Sequence, residues 1–269
     1  MIVQAVPVQS FVRAHRPRWR ARRFEEGAFL GIPEDSPDHL CWEVRDSDGE
    51  LSATAALRRG DQLLLSAASP EAVQSLADVL RGHDVPGWFA PAPASALLRD
   101  ALGERRFRVA KRVLHHRLAG SDAAAATVPA VPGLVRRAGP ADVEATAALL
   151  ALLQREVLTL RPVDPVATVT AHIDEGALWV LDQGEVVAMA SLGSGPEPYL
   201  DHVVVAPAHR RHGLARGLVA QLCGPVVASG GMVRLSTHRD NLRANHLFAQ
   251  LGFRVMCEME NVRRVDPSR

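Results

Sequence analysis

Two segments far apart in this chain carry nearly the same text. "GELSATAAL" (49–57) and "GEVVAMASL" (184–192) agree at five of nine positions. Each follows a tryptophan-bearing apolar run, "CWEV" or "LWVL", across an Asp/Gly turn, so both read as hairpins. A second echo comes later in the same order, "LGERRFRV" (102–109) and "LGFRV" (251–255), each after a segment of helical spacing. Two echoes in one order point to a duplicated plan. Between the halves, "AGSDAAAATVPAVPG" (119–133) has no hydrophobic period and the chemistry of a linker. The expected division is a first domain over 1–118, a linker over 119–131 and a second domain over 132–269.

The second half reads as a strand "GLVRR", then a helix "GPADVEATAALLALLQREVL" with Pro140 in its first turn. A second helix, "DPVATVTAHIDEG", stops at Gly176 and leads into the hairpin 178–193. The strand "YLDHVVV", a basic turn, a helix and the strand "MVRLSTH" follow. In "DNLRANHLFAQLGF", Ala244, Leu247, Phe248 and Leu251 share a helical face, with Gly252 at the C-cap. "FRVMCEMENVRRV" is expected to close the sheet of this half. The fold class is α/β (α+β), with a mixed, mostly antiparallel sheet flanked by helices and two tandem copies.

Composition removes several functions. Lys+Arg 31 against Asp+Glu 30 leaves a net charge of +1, which disfavours a general nucleic-acid partner. Lys111 is the one lysine, so no lysine stands where a P-loop requires it. Cys41, Cys223 and Cys257 are odd in number and show no CxxC spacing, against a disulfide framework or structural zinc. His209, His212 and the His115–His116 pair lack carboxylate or cysteine partners at ligand spacing, so no metal is expected. No apolar run has membrane-spanning length, and no basic segment precedes a hydrophobic N-terminal stretch. The expectation is a cytoplasmic protein without a membrane partner. "RAHRPRWRARR" (13–23) gathers six arginines around Trp19. It reads as the exposed face of an N-terminal helix, with a nucleic-acid arm as the competing reading.

"VVVAPAHRRHGLARGLVAQL" (203–222) carries the chemistry. An apolar strand stops at Pro207, His209, Arg210, Arg211 and His212 follow, and Leu214, Leu218, Val219 and Leu222 then repeat at helical spacing. A helix therefore starts near Gly213. Its first amides are unpaired, and the peptide dipoles place partial positive charge there. Gly213 and Ala215 leave those amides uncovered, the arginines add charge, and nothing acidic lies between Pro207 and the helix end. That is a pyrophosphate seat built from backbone. The first half supplies a contrast: "LLLSAASPEAVQSLADVL" (63–80) has the same strand-to-helix order, yet Ser69 caps the helix and Glu71 would repel a phosphate.

"V-x-P-x-x-R-x-x-G-x-A" (Val205 to Ala215) resembles the acyl-CoA signature of the GNAT acetyltransferase superfamily. "N-x-x-A-x-x-L-F-x-x-L-G-F" (Asn241 to Phe253) resembles that superfamily's following motif at the expected distance. The resemblance covers about half the chain, from 132 onward. The first half looks like the degenerate copy of tandem GNAT proteins. The resemblance implies acetyl transfer from acetyl-CoA, with no metal, to a primary amine on a small molecule or peptide. Carried over residue by residue, the backbone of Val203, Val204 and Val205 would bond the pantetheine arm as an added strand. An N–H near Val203 would stabilise the oxyanion. The pyrophosphate would sit at Arg210, Arg211, His212, Gly213, Leu214, Ala215 and Arg216, with Asn241 reaching the cofactor from the next motif. Asp201 would take the acceptor's proton, directly or through water. Tyr199, on the same strand face, would do so or line the acceptor pocket. Phe248 stands beside the cofactor where many relatives place a tyrosine that protonates the leaving thiolate. A thiol of pKa about 8.5 leaves tolerably as thiolate without help near neutral pH, and water, Ser236 or Cys257 could serve. Phe248 also supports a competing class, a non-catalytic acyl-CoA-binding or regulatory module.

Overall fold

The computed structural model describes residues 1–120, 131–157 and 163–265. Most of the expected linker, 121–130, lies outside the described residues, as does the tail of the helix expected to reach 158. The first half runs through β1 (Ile2–Val6), α1 (Val8–Ala21), α2 (Arg23–Glu26), β2 (His39–Arg45), β3 (Leu51–Arg58) and β4 (Leu63–Leu65). It continues with α3 (Pro70–Leu80), β5 (Gly87–Pro91), α4 (Ala92–Leu102) and β6 (Phe107–Ala119). The second half has β7 (Leu134–Arg137), α5 (Val143–Glu156), α6 (Pro165–Asp174), β8 (Leu178–Asp182), β9 (Val186–Leu192) and β10 (Leu200–Val205). It ends with α7 (Leu214–Ala228), β11 (Met232–His238), α8 (Leu242–Gln250) and β12 (Arg254–Arg264). Element for element the order repeats, and the echoed segments "GELSATAAL" and "GEVVAMASL" supply β3 and β9, the second arms of equivalent hairpins.

Packing divides the chain into two units that do not follow the halves. The first comprises Met1–His115, His238–Asp240 and residues 256–265; the second comprises His116–Thr237 and Asn241–Val255. The last strand thus departs from the expected second-half domain. β12 pairs antiparallel with β5, from Met259 opposite Pro91 to Arg263 opposite Gly87. Gly87 makes the approach possible, because a Cβ there would run into the Val262 carbonyl oxygen and stand 3.1 Å from Arg263 Cα. Val262 is buried in the first unit's core with Trp88, Leu76 and Leu98. Buried Glu260 accepts hydrogen bonds from Ser95 Oγ (2.8 Å) and Arg112 Nε (3.1 Å). A burial pattern says that a strand needs an apolar face to cover, and either unit offers one.

The arginine-rich segment lies on α1 and its exit. Phe11 and Trp19 are buried with Phe29, and Trp19 stacks on Phe29 at 5.2 Å. Arg13 and Arg16 pair with Glu34, Arg18 with buried Glu26, and Arg22 with Glu25 and Glu26. These charges are spent on neighbouring carboxylates, which favours the helix-face reading over an arm.

In the second unit, β7 to β10 form a sheet in the order β10-β9-β8-β7, all antiparallel. Its two faces are covered differently. Leu218 and Val219 of α7 and Phe248 of α8 share one cluster with Val187, Ala190 and Leu200. Leu150 of α5 and Val169 of α6 share another with Val180, Met189 and Val204. No helix among the described residues is long and apolar enough to cross a membrane.

Candidate functional site

The site begins where two strands separate. Met232 N donates to Pro196 O (2.9 Å), Arg234 N donates to Pro198 O (3.0 Å), and Tyr199 forms a parallel bridge with Arg234. After that bridge β10 follows β9 alone and becomes the edge of its sheet. The backbone of Val203 to Val205 therefore lies along an open edge. Such an edge carries amide and carbonyl groups that an extended ligand can pair with, although Val205 O already accepts from Arg210 Nε. Val203 and Val205 pack toward α7 and α8, whereas Val204, 4% exposed, enters the cluster under α5 and α6.

The connection from β10 to α7 turns through a short 3-10 segment, Pro207–His209. Two residues then take left-handed backbone, Arg211 at φ 69° and the N-cap Gly213 at φ 75°. The glycine is required by this conformation, since a Cβ there would meet nothing within 4 Å. His209 N and Arg210 N bond back to Ala206 O and Pro207 O, and Gly217 N makes the first helical bond, to Gly213 O. Among the described residues, the amides from Arg211 through Arg216 donate to no carbonyl or side chain of the chain. The first turn contains no acid and no side-chain cap. Leu214 is buried, which anchors the helix start, while Arg211 and His212 are exposed beside it. Arg216 Nε is buried with no hydrogen-bond partner among the described residues.

Arg210 differs from its expected place in the seat. Its guanidinium makes a two-pronged pair with Glu156 of α5, at 2.9 Å on each arm, and Nε donates to Val205 O at 3.0 Å. Its charge is compensated, and it ties the loop to α5. His209 lies 3.5 Å from Glu185.

Tyr199 and Asp201 share the face expected of them, and Leu200 between them is buried. The Asp201 side chain is 54% exposed. Tyr199 is 39% exposed; burial of its hydroxyl end raises the phenol above its usual range, against the lowering effect of a hydrogen bond with Ser236. Arg234 lies 5.9 Å from its ring centroid.

A bulge follows directly. Asp201 lies opposite Ser191 and Val204 opposite Met189, so His202 and Val203 together face Ala190. His202 takes φ 51°. His202, Ser191 and His172 went unnoticed in the sequence because period-two alternation carries no sign of a bulge, and His172 comes from a separate helix.

The following motif behaves as structure. Asn241 is the N-cap of α8, its Oδ1 accepting from Ala244 N at 3.1 Å, so that lone pair is engaged within the chain. Phe248 is 6% exposed, packed edge-on against Phe253 (5.4 Å) and 6.3 Å from the His116 ring. It is a core residue of the second unit. Cys257 lies in the first unit, where its thiol donates to Phe24 O (2.9 Å) and burial pushes it up to about 12.

Residues 147–253 match the model of the acetyltransferase (GNAT) family. Over 89 residues, 32% of this chain, the sequence is 38% identical to a mycothiol acetyltransferase of Streptomyces coelicolor, of whose length it covers 28%. The fold is similar to that of a GCN5-related N-acetyltransferase from Sphaerobacter thermophilus, with a TM-score of 0.66 at 17% identity, over 99% of this chain and 96% of that one. It is also similar to a tandem GNAT protein from the clavulanic acid biosynthesis pathway, with a TM-score of 0.57 at 18% identity over 100% of both chains.

Proposed function

We propose that this chain, whose residues 147–253 match the model of the acetyltransferase (GNAT) family, transfers an acetyl group from acetyl-CoA to the primary amine of a small molecule or peptide, in the cytoplasm. The observation that carries the reading is the unpaired run of amides from Arg211 through Arg216, at an acid-free helix start, next to the open edge of β10. The two features fit the two ends of one ligand: amides and dipole for a pyrophosphate, a free strand edge for an amide-bearing arm. Val203 to Val205 would pair with the arm. Arg211 to Arg216 would hold the phosphates, with Arg211 and Arg216 adding formal charge, and Arg210 would hold the loop in shape. Asp201 and Tyr199 stand at the strand separation, where an exposed carboxylate attracts an ammonium.

Asn241, as the cap of α8, and Phe248, as core packing, would act by holding that helix in place. No protein acid is needed for the thiolate, since a thiol of pKa about 8.5 leaves without help near neutral pH. The first half, with the same element order but a capped helix start, would be the degenerate copy. Calorimetry with acetyl-CoA tests the reading. One site per full chain, with thiol release on adding primary amines, is the expected result. No binding would refute it, and binding without release to any amine would leave the acyl-CoA-binding module.

A further inference from the structure

His202 is the residue at which β10 breaks step. Left-handed backbone is costly for a residue with a Cβ, and such strain gathers at working sites. With φ 51° inside the bulge, its ring leaves the alternation of the strand and meets α6, 5.3 Å from the ring of His172 and edge-on to it. Nδ1 stands 3.3 Å from Ser191 Oγ, on the neighbouring strand β9. Nε2 stands 3.9 Å from Asp201 Oδ2. His172 Nδ1 is buried with no hydrogen-bond partner among the described residues, and Glu175 Oε2 lies 3.8 Å from it. Two imidazoles, a hydroxyl and a carboxylate thus converge at the end of the open edge, and none of them closes a helix or a hairpin.

We infer that His202 is the general base of the reaction, its Nε2 taking the proton of an acceptor that arrives as a primary ammonium held by the Asp201 carboxylate. This rests on the acetyl-transfer reading above. The ammonium gives one proton to Nε2, and the freed amine attacks the thioester carbon. The C–N bond forms and the C–S bond breaks. The thiolate takes the second nitrogen proton, leaving amide and thiol, and the imidazolium returns its proton to water. Asp201, its side chain 54% exposed and its Oδ1 accepting from His202 N at 2.8 Å, is placed to hold the ammonium rather than to take its proton.

The groups facing the His202 ring are Asp201 on its own strand, the Ser191 hydroxyl on β9, and His172 on α6 with Glu175 behind it. On α5, Glu156 is turned to Arg210. Burial lowers the basicity of His202 most, Asp201 opposes that, and His172 lowers it further. The ring is therefore neutral, able to accept, through neutral pH. The rate falls as pH drops through a value below the ordinary histidine range.

His202→Asn tests the assignment, because asparagine tolerates left-handed backbone and is not a base. With acetyl-CoA and a panel of primary alkylamines, turnover falls about 100-fold or more and the acid limb of the pH profile disappears. Acetyl-CoA affinity and melting temperature stay at their starting values. His202→Gly, which relaxes the backbone, gives the same loss. By NMR titration of the full chain, His202 of the unaltered protein titrates below the ordinary range, and His172→Leu moves it upward. Unchanged turnover in either His202 variant, an ordinary titration, or acetyl-CoA binding without release to any amine overturns the inference. A chain that binds no acetyl-CoA overturns the acetyl-transfer reading instead.

Discussion

The helices α3 and α7 occupy the same place in the two repeats of the element order, and they begin in opposite ways. At α3 the Ser69 hydroxyl accepts from Ala72 N at 3.3 Å, Pro70 opens the first turn and Glu71 follows. Glu71 is held below the usual carboxylate range by hydrogen bonds to backbone and to Ser69, so it carries its charge there. At α7 a left-handed glycine replaces the cap, and the amides before Gly217 remain open. The preceding strands differ in the same sense. β4 stays in parallel register with β5 at Leu63–Trp88 and Leu64–Phe89, whereas β10 keeps one bridge to β11 and then departs. One repeat satisfies its own backbone at this point, and the other leaves it open. A shared architecture therefore says little about binding, because a few residues at a helix start decide it.

The largest effect expected from breaking this contrast is at Gly213. Gly213→Glu sets a carboxylate among the open amides, and acetyl-CoA affinity should fall by about 100-fold, near 2.7 kcal/mol. Gly213→Asn, which tolerates the same φ, should retain most of the affinity. Calorimetry on both separates repulsion from backbone strain, and equal losses would show that shape alone matters.

Next is Gly87→Ala in the first unit. Its methyl meets the backbone of β12, and overpacking of this kind costs about 1–3 kcal/mol. The melting temperature should fall while acetyl-CoA affinity holds. A parallel loss of affinity would show that the terminal strand supports the site as well.

Phe248→Tyr buries a hydroxyl among Phe253, Leu251 and Leu218. Where that hydroxyl finds no partner, stability should drop by about 1–3 kcal/mol with no gain in turnover. A faster variant of unchanged stability would instead mark position 248 as open to the cofactor sulfur.

The smallest effect is at Ser69→Ala, about 1 kcal/mol from loss of the cap, seen in thermal unfolding. It should leave the stoichiometry at one acetyl-CoA per chain. A second binding event would show that the cap alone had kept α3 from serving as a seat.

Much of the candidate site was legible because its signals are local. An acid-free helix start, a glycine before it and a strand ending at proline are properties of adjacent residues, and α7 begins at Leu214 as its spacing required. The Ser69 cap was legible for the same reason. Arg210 shows where this ends: its charge could be read, but its partner Glu156, 54 positions away, could not. Asn241 and Phe248 stand in a motif that implies cofactor contact, and a motif does not distinguish a residue that touches a ligand from one that holds the helix beside it.

The sequence by itself determined the repeated order of elements, the closed start of α3 and the open start of α7, since capping, periodicity and turn chemistry act over a few residues. Only the tertiary structure decided that β12 would pair with β5 in the first unit, that β10 would part from β11, and that His202 would turn toward His172. The reason is physical. A strand's alternation specifies a face but not a neighbour, and a bulge depends on the register of two strands at once. Which edge a strand pairs with is settled by a close approach such as that of Gly87 to Val262, between residues far apart in the chain.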